Sequence, residues 1–337
     1  MPKALYTPVR AHTALVFRPE DYRALTTEFA VSENLLDRSM TAEGIAAAVP
    51  GHDALITGWG SPQLTEAVFE AAGSLSIIAH TAGTVRAILT DEVVERCVVP
   101  RGIVVFSANG AIALNVAEST IGLLLMTSRR WVEHIESVRG GAWVAEGVRS
   151  NGQFLAGATV GVVSASKVGV ETIRLLKPFD TRILLYDPCI GDARVAELGV
   201  ERVELDDLFA RSDMVTVHAP SIPATKHIIG ERQLRLLRDG ATLVNTSRGS
   251  VIDEAALIAE CRWREIYVTL DVTDPEPPAK DSELRRLPNV YITPHVSGTG
   301  NYGYHRIGAW ALQALRDHFA GRPVEGLVDF SRFTEIA

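Results

Sequence analysis

Short apolar runs alternate with amphipathic stretches along the first third of the chain. Three runs have the length and apolar character of buried strands: residues 13–17 (TALVF), 53–57 (DALIT) and 76–80 (SIIAH). A stretch with helical spacing, residues 62–72, lies between the last two runs. This alternation predicts β-α units, and therefore a parallel sheet with helices on both faces.

A second series of strand-like runs fills the middle of the chain, and helical patterns separate most of its members. The runs are residues 159–163, 182–186, 214–217, 242–245, 267–270 and 290–293. Such a repeating order is typical of a doubly wound nucleotide-binding sheet.

Two long helical stretches indicate how the domains are connected. Residues 115–130 (NVAESTIGLLLMTSRR) are apolar and end in basic residues, as a helix linking two domains would. Residues 304–320 form a second long helix, which ends before Gly321 and can return the chain to the first domain. We therefore predict an α/β protein with two doubly wound parallel-sheet domains, Rossmann-like or flavodoxin-like. The predicted division is 1–108 plus 304–337 for the substrate-binding domain and 109–303 for the inserted nucleotide-binding domain.

Composition restricts the class of protein. Hydrophobic residues make up 47% and charged residues 22% of the 337 residues, a globular balance with length for two domains. The net charge of −8 and the absence of a Lys/Arg run in the sequence argue against nucleic acid or an anionic membrane as partner. The N-terminal sequence has no apolar signal core, and we expect no membrane-spanning run.

The three cysteines, Cys97, Cys189 and Cys261, are odd in number and widely spaced. This pattern predicts reduced thiols in a cytoplasmic protein, with neither a disulfide framework nor a metal site.

Three ionisable residues each follow a strand-like run in the C-terminal half. They are Arg248 in VNTSRGS, Glu276 in LDVTDPEPP and His295 in LPNVYITPHVSG. Side chains at such strand ends converge on one crevice in an open α/β sheet. A guanidinium fits a carboxylate, an imidazole exchanges protons near neutral pH, and a neighbouring carboxylate orients the imidazole. This set of groups suits hydride transfer to a 2-oxo acid or from a 2-hydroxy acid.

Each of these residues also has a simpler interpretation when taken alone. Arg248 fits a surface ion pair, Glu276 fits a solvated turn between prolines, and His295 after a proline fits a helix cap. Their order and their flanking sequences together favour the catalytic interpretation.

With their flanking sequences, these residues resemble the D-isomer-specific 2-hydroxyacid dehydrogenase family, most closely from Thr159 to Gly298. The resemblance implies an NAD(H)-dependent enzyme that acts on a small anionic substrate and forms a homodimer through its cofactor domain. It implies that Arg248 binds the substrate carboxylate and polarises the 2-oxo oxygen. In the same way, His295 would exchange the hydroxyl proton and bind beside the cofactor, while Glu276 orients His295.

The segment 158–188 has the order of a dinucleotide-binding fingerprint, namely strand, tight turn, helix, strand and acid. Of its three expected glycines only Gly169 is present, and Ser164 and Ser166 replace the others. The helix N-terminus still attracts an anion, and Ser166 suits its N-cap. A Cβ at position 166 would push the pyrophosphate away, which predicts binding weakened by about 1 kcal/mol. The alternative is a Rossmann-like turn that no longer binds a nucleotide. The predicted cofactor-binding turn consists of Ser164, Ala165, Ser166, Lys167, Val168 and Gly169.

Asp187 ends the second strand of this unit, about twenty residues beyond the turn. A carboxylate at that place accepts hydrogen bonds from an adenosine ribose and repels a 2′-phosphate, which favours NAD(H) over NADP(H). The alternative is a turn cap before Pro188. Arg194 is the nearest following cation and leaves the NADP(H) alternative open.

The resemblance assigns further binding residues position by position. The segment His218, Ala219 and Pro220 resembles the loop that covers the cofactor. Thr246, Ser247 and Arg248 would lie beside the nicotinamide, Asp271 would contact its carboxamide, and Gly298 lies in the loop after His295.

On the substrate side, residues 80–86 (HTAGTVR) resemble the loop whose backbone amides, here those of Ala82 and Gly83, hold the substrate carboxylate. An ordinary strand-to-helix turn is the alternative.

Several relatives remain to be distinguished. Formate dehydrogenases of this fold carry Gln where this chain has Glu276, which disfavours them. A phosphoglycerate-type enzyme needs extra basic residues, of which Arg86 is the one hint, and phosphonates or anionic aldehydes suit the same chemistry. A different class is an NAD-binding corepressor that resembles C-terminal-binding proteins, and a third is a degenerate relative without catalysis.

Overall fold

The chain folds into two parallel α/β units in a computed structural model that describes residues 1–144 and 152–335. One compact unit consists of Met1–Ile112 with Thr299–Ala337, and the other of Ala113–Gly298. Their sheets have five and seven strands, all in parallel pairs. The predicted class, two doubly wound parallel-sheet domains, is confirmed. The roles assigned to the two units stay predictions.

Unit 1 is built on a sheet with the strand order β2-β1-β3-β4-β5. Both faces are buried along the four strands other than the edge strand β2, because adjacent residues of those strands belong to different core clusters. One row of paired apolar residues, Leu5, Leu55, Ile78 and Val105, crosses the sheet on one face. The strands are β1 (Lys3–Tyr6), β2 (Ala30–Glu33), β3 (Ala54–Thr57), β4 (Ile77–His80) and β5 (Val104–Ser107). The helices are α1 (Arg10–Val16), α2 (Pro19–Glu28), α3 (Ala42–Ala48), α4 (Glu66–Ala71), α5 (Asp91–Val93), the start of α6 (Asn109–Ser128) and α13 (Asn301–Phe319).

The prediction of a strand at residues 13–17 is wrong, because this run lies in helix α1 and its C-terminal cap. His12 and Val16, four residues apart, are the buried positions of the helix, whereas Leu15 is exposed. A short apolar run fits either structure, and helical spacing decides here. The first strand is instead the run at Lys3–Tyr6. The helix predicted at 62–72 is also shorter, since α4 begins at Glu66.

Unit 2 is built on a sheet with the order β12-β11-β10-β9-β6-β7-β8. The six predicted strands of this unit are confirmed, the last of them ending at Ile292 rather than at residue 293. The strands are β6 (Thr159–Val163), β7 (Arg182–Tyr186), β8 (Glu201–Arg202), β9 (Met214–Val217), β10 (Thr242–Asn245), β11 (Tyr267–Leu270) and β12 (Val290–Ile292). The helices are the rest of α6, α7 (Trp131–Arg139), α8 (Lys167–Leu176), α9 (Asp192–Leu198), α10 (Leu205–Arg211), α11 (Glu231–Leu236) and α12 (Glu254–Trp263).

The expectation that no segment would reach membrane-spanning length is wrong for helix α6. Its 20 residues are long and apolar enough to cross a membrane by length and composition alone. The core helix of a globular protein passes the same test. Here the side chains of Thr120 and Thr127 are buried and form hydrogen bonds to the β-sheet of unit 2 or to the loop after β10.

Parallel pairing places the carboxyl ends of the unit 2 strands at one edge of the sheet. The loops after β6, β7, β10, β11 and β12 therefore begin at that same edge. These loops carry most of the residues that the sequence marks as functional, and in an open α/β sheet this edge is where ligands bind.

Candidate active site

The loop after β10 presents Arg248, and the side chain of Asn245 shapes it. Asn245 Oδ1 accepts hydrogen bonds from the amide and the hydroxyl of Ser247, at 3.0 and 2.8 Å. Its Nδ2 donates to the Arg248 carbonyl at 2.9 Å. Asn245 thus closes a side-chain-stabilised turn around Ser247, a role that we did not predict although an Asn at a strand end is a signal for such turns.

Gly249 brings the Arg248 loop against the loop after β11. A Cβ on Gly249 would overlap the Thr273 carbonyl group and the Asp274 nitrogen, so only glycine allows this approach. Arg248 is half-buried, and burial lowers the pKa of its guanidinium, while the negative charge of Glu276 acts in the opposite direction. The group nevertheless stays charged, because arginine does not deprotonate in proteins.

Glu276 and His295 form a directly hydrogen-bonded pair. Glu276 Oε1 lies 2.6 Å from His295 Nδ1, and the side chains are 42% and 49% exposed. A carboxylate at Nδ1 keeps a proton on that nitrogen and leaves Nε2 as the atom that can exchange a proton with a ligand. The electrostatic effect of Glu276 on Arg248 places all three predicted catalytic residues in one neighbourhood of unit 2.

The backbone of His295 adopts a left-handed conformation, with φ of 53°. Its amide donates to the carbonyls of Asp271 and Thr293 at 2.9 and 3.0 Å. The buried Asp271 carboxylate accepts from Thr293 Oγ1 at 2.5 Å and from the Val296 and Ser297 amides, both at 2.9 Å. Asp271 therefore fixes the loop on both sides of His295, and its predicted contact with a carboxamide stays a prediction.

The turn between β6 and α8 meets the local requirements of a phosphate-binding turn. Gly169 is essential, since a Cβ there would overlap the Ser164 carbonyl oxygen. Ser166 is the N-cap of α8, as predicted, and its hydroxyl accepts from the Gly169 amide at 3.3 Å. Ser164, at the first glycine position, has φ of 79°, a conformation that normally requires glycine.

Asp187 binds the turn from the end of the neighbouring strand. Its Oδ2 accepts from the Ala165 amide at 2.7 Å and from Ser164 Oγ at 3.3 Å. Its Oδ1 accepts from the Cys189 amide at 2.8 Å. The carboxylate is thus held at the carboxyl edge beside the turn, with part of its acceptor capacity still available.

Lys167 and three backbone amides form the donor set of this turn. The amides of Ser166, Lys167 and Val168 donate no hydrogen bond to any residue in 1–144 or 152–335. The surrounding protein lowers the pKa of the Lys167 ammonium by displacing water from it. Free amides at the positive end of a helix are a suitable site for an anion such as a pyrophosphate, and Lys167 adds a cation to the same turn.

The other predicted cofactor residues divide into accessible and buried ones. The His218 side chain is buried, with Nε2 at 3.0 Å from Thr216 Oγ1, and Ala219 is buried with it. Burial lowers the pKa of His218 to about 3. Any contact of this segment with a ligand would therefore come from Pro220 or the backbone. Gly298, in the loop after His295, accepts a hydrogen bond from Asn115 Nδ2 at 3.3 Å.

In unit 1, the loop after β4 presents Ala82 and Gly83 at the carboxyl edge of the first sheet. The Ser107 hydroxyl donates to the Gly83 carbonyl at 2.6 Å and so fixes the peptide orientation. Neither the Ala82 amide nor the Gly83 amide donates to another residue that the structure describes. Two adjacent free amides form a suitable site for a carboxylate.

Across the described ranges, no group of three or more His, Cys, Asp or Glu side chains is arranged to hold a metal ion.

Comparisons with known proteins agree with this geometry. The sequence profile described as the D-isomer specific 2-hydroxyacid dehydrogenase NAD binding domain matches residues 121–297. The hydroxypyruvate reductase of Thermotoga maritima is 33% identical over 272 residues, which cover 79% of this chain and 85% of that protein. The D-3-phosphoglycerate dehydrogenase of Archaeoglobus fulgidus is 32% identical over 291 residues, 86% of this chain and 54% of that protein. The chain thus spans about half the length of that relative.

Among solved structures, the TT0316 protein from Thermus thermophilus superimposes with a TM-score of 0.73 and 26% identity, covering 98% of this chain and 100% of that one. The profile match covers the turn, Asp187 and the three predicted catalytic residues, Arg248, Glu276 and His295. The chain therefore belongs to the D-isomer specific 2-hydroxyacid dehydrogenase family, and its residues 121–297 match the NAD-binding domain of that family.

Proposed function

We propose that this protein is an NAD(H)-dependent oxidoreductase that interconverts a small 2-oxo acid and its D-2-hydroxy acid. The observation that carries the proposal is the His295–Glu276 pair, 2.6 Å apart, in the neighbourhood of the half-buried Arg248. A positioned acid-base group and a fixed cation are what the reaction requires of the protein.

His295 is the proton donor in the direction of reduction. When bound, the nicotinamide supplies the hydride that reduces the carbonyl carbon. The Nε2 proton of the imidazolium moves to the carbonyl oxygen as negative charge develops there, and in the reverse direction the neutral imidazole takes it back. Glu276 accepts from Nδ1 throughout, so it holds the ring orientation and stabilises the positively charged ring.

Arg248 binds the substrate carboxylate and polarises the 2-oxo oxygen. Its planar fork of donors suits both oxygens. Because the guanidinium is half-buried, its interaction with the developing alkoxide is stronger than it would be in water. The fixed carbonyl of Arg248 and the close contact at Gly249 keep the loop rigid while it does so.

The turn between β6 and α8 fits the pyrophosphate of NAD(H) despite its two serines. The three free amides of residues 166–168 and the ammonium of Lys167 offer direct donors. Asp187, at the end of β7, accepts from the ribose hydroxyls and repels a 2′-phosphate. NADH is therefore the expected cofactor, with Lys167 compensating for part of the backbone contact that the Ser166 Cβ removes.

The substrate is expected to lack a phosphate group. Arg86, the basic residue that hinted at phosphoglycerate, pairs with Asp91 and stacks over the Phe333 ring, 4.6 Å from its centroid. It is thus already engaged within unit 1. The Ala82 and Gly83 amides suit a carboxylate, and their substrate role rests on the geometry of that loop alone.

We also propose that the protein forms a homodimer through helix α7. Trp131, Ile135 and Val138 follow the i, i+4, i+7 spacing of one helix face and are 46%, 49% and 49% exposed. An apolar stripe of this kind suits a second copy of the same helix. Ile135→Asp would then give a monomer in sedimentation velocity, whereas Glu136→Lys, on a neighbouring charged position, would leave the dimer intact.

A cytoplasmic location is part of the proposal, because all three cysteines are free thiols.

Fluorescence titration with NADH and, separately, with NADPH tests the cofactor assignment. We expect saturable binding of NADH and at least tenfold weaker binding of NADPH, because Asp187 repels the 2′-phosphate. Asp187→Ser should reduce that discrimination, whereas Asp192→Ser, an exposed acid on α9, should leave it unchanged. If the protein binds neither nucleotide, the proposed function is wrong and the degenerate relative is the correct interpretation.

A further inference from the structure

Helix α6 carries a polar stripe within an otherwise apolar sequence. It consists of two pairs: Asn115 and Ser119, four residues apart, share one face, and Thr120 and Thr127, seven residues apart, share the adjoining one. Each side chain forms a hydrogen bond to a strand of the unit 2 sheet or to a loop beside one. Buried polar side chains need hydrogen-bond partners, and those of α6 find them in the loops and strands of unit 2.

Thr120 holds the loop that carries Arg248. The Thr120 and Thr246 hydroxyl oxygens are 2.9 Å apart, and both residues are buried. Thr120 Oγ1 also donates to the Val116 carbonyl at 2.8 Å, which uses its single proton. Thr120 must therefore accept the proton of Thr246, two residues before Arg248.

Ser119 and Asn115 hold the loop that carries His295, from the side opposite Asp271. The Ser119 hydroxyl donates to the Ser297 carbonyl at 2.9 Å, and Asn115 Nδ2 donates to the Gly298 carbonyl at 3.3 Å. The Asp271 carboxylate binds the amides of this segment, while α6 binds its carbonyls. The loop is thus fixed on both edges.

We propose that Thr120 and Ser119 are positioning residues, through which α6 sets the Arg248 loop and the His295 loop at a fixed spacing for the reaction. This inference rests on the proposed function for its catalytic consequence. The positioning itself is a property of the protein without cofactor, because every bond that carries it lies within unit 2.

Thr127 provides a matched control on the same helix. Its hydroxyl donates to the Leu123 carbonyl at 2.7 Å and lies 2.6 Å from Thr269 Oγ1. The bonding pattern is that of Thr120, and both residues are buried, but Thr269 lies within β11 rather than in a loop. Thr127→Val should therefore reduce stability as Thr120→Val does, without loosening either functional loop.

Amide hydrogen exchange of the protein without cofactor tests the positioning directly. Thr120→Val should speed exchange in residues 245–251 at least fivefold, and Ser119→Ala should do so in 295–299. Thr127→Val should leave both segments at wild-type rates, and Thr120→Ser, which keeps the acceptor, should restore protection. Unchanged exchange in 245–251 of a folded Thr120→Val protein would overturn the inference.

Steady-state kinetics test the catalytic consequence. Thr120→Val should lower kcat about tenfold with KM changed less than twofold, since misplaced groups affect the transition state more than substrate binding. Thr127→Val, at an equal loss of Tm, should keep the wild-type kcat. Equal losses of kcat in both variants would reduce Thr120 to a stability role. A wild-type protein without activity on any 2-oxo acid contradicts the proposed function and leaves the exchange result to decide the positioning.

Discussion

Among the described residues of unit 2, five non-glycine residues adopt the left-handed backbone that glycine usually occupies. For two of them, Ser164 and His295, an aspartate at the end of a neighbouring strand binds the loop. Ser164 follows β6 and is bound by Asp187 at the end of β7, and His295 follows β12 and is bound by Asp271 at the end of β11. In both cases the carboxylate accepts from backbone amides next to the strained residue. The same local arrangement therefore holds the proposed phosphate turn and the proposed proton donor.

These two sets of aspartate-to-loop hydrogen bonds, which we call the Asp187 clamp and the Asp271 clamp, differ in the burial of the carboxylate. The Asp271 carboxylate is buried and accepts three hydrogen bonds of 2.5 to 2.9 Å from the His295 loop. Asp187 is partly exposed; it accepts from the Ala165 and Cys189 amides at 2.7 and 2.8 Å and from Ser164 Oγ at 3.3 Å. Backbone strain persists where the surroundings over-determine it, which holds for His295 more than for Ser164. The comparison indicates that burial of the carboxylate, rather than the length of its hydrogen bonds, distinguishes the loop of the proposed proton donor from the proposed phosphate turn.

Replacing the residue held by the Asp271 clamp should have the largest effect. We expect His295→Gln to lower kcat for reduction of the best 2-oxo acid by about 10³-fold, since Gln cannot donate a proton in the transition state. Tm and NADH affinity should stay near wild type, because the side chain is half exposed. Turnover at the wild-type rate would show that His295 is not the proton donor. A corepressor-like protein would keep its partner binding in this variant.

The same Asp→Asn change in the two clamps should lower the free energy of unfolding by different amounts. Asp271→Asn should lower the free energy of unfolding by about 3 kcal/mol, because buried amides lose a charged acceptor. Asp187→Asn should lower it by about 1 kcal/mol, since water can replace the lost bonds. Urea unfolding measures both. Equal losses would mean that exposure does not distinguish the clamps.

Acid should loosen the protein through histidines that are neutral in the fold. Burial lowers the pKa of His12 and His80 in unit 1 to about 4, and that of His218, which packs behind Gly169, to about 3. Each of these histidines is neutral in the folded protein. The free energy of unfolding that depends on its neutral form is therefore fully present above pH 6.5. It decreases as the pH falls from 6.5 towards these values.

The loss should approach about 1.4 kcal/mol per pH unit for each histidine that titrates in this way. Urea unfolding between pH 7.5 and 5 measures it. His218→Gln should reduce the slope by the share of one histidine. A pH-independent wild-type stability over this range would contradict the prediction.

Relieving the strain at the Asp187 clamp should have the smallest effect. Ser164→Gly should raise the free energy of unfolding by about 0.5 to 1 kcal/mol and tighten NADH binding a few-fold, because glycine adopts the left-handed conformation without strain. Ser166→Gly, which removes the N-cap hydroxyl, should lower stability by a few tenths of a kcal/mol. A loss of stability in Ser164→Gly would show that the bond to Asp187 outweighs the strain.

Much of unit 2 can be predicted from local sequence, and less of unit 1. Continuous apolar runs bounded by turn residues define β6, β7 and β9 because both faces of a parallel sheet are buried. In unit 1 the run at 13–17 is too short to distinguish strand from helix, and its burial on one helix face decided the outcome.

The site shows the same division. Arg248, Glu276 and His295 are recognisable because their chemistry and flanking sequences are distinctive, and the structure brings them together. Thr120 and Asp271 gave no equivalent signal for their positioning roles. Their partners lie 126 and 25 residues away along the chain, and such hydrogen bonds depend on tertiary packing rather than on local pattern.

The overlap that a Cβ would make at Gly169 limits how this turn can be altered. Side chains at positions 164 and 166 are already tolerated, whereas any residue larger than glycine at 169 would force α8 away from the Ser164 carbonyl. A mutant library that aims to change cofactor preference can therefore vary 166 and 187 together with position 164, where the choice is limited to residues that tolerate the left-handed backbone. Gly169 must stay constant. The fingerprint therefore has two positions that can change, 164 and 166, and one that cannot, 169.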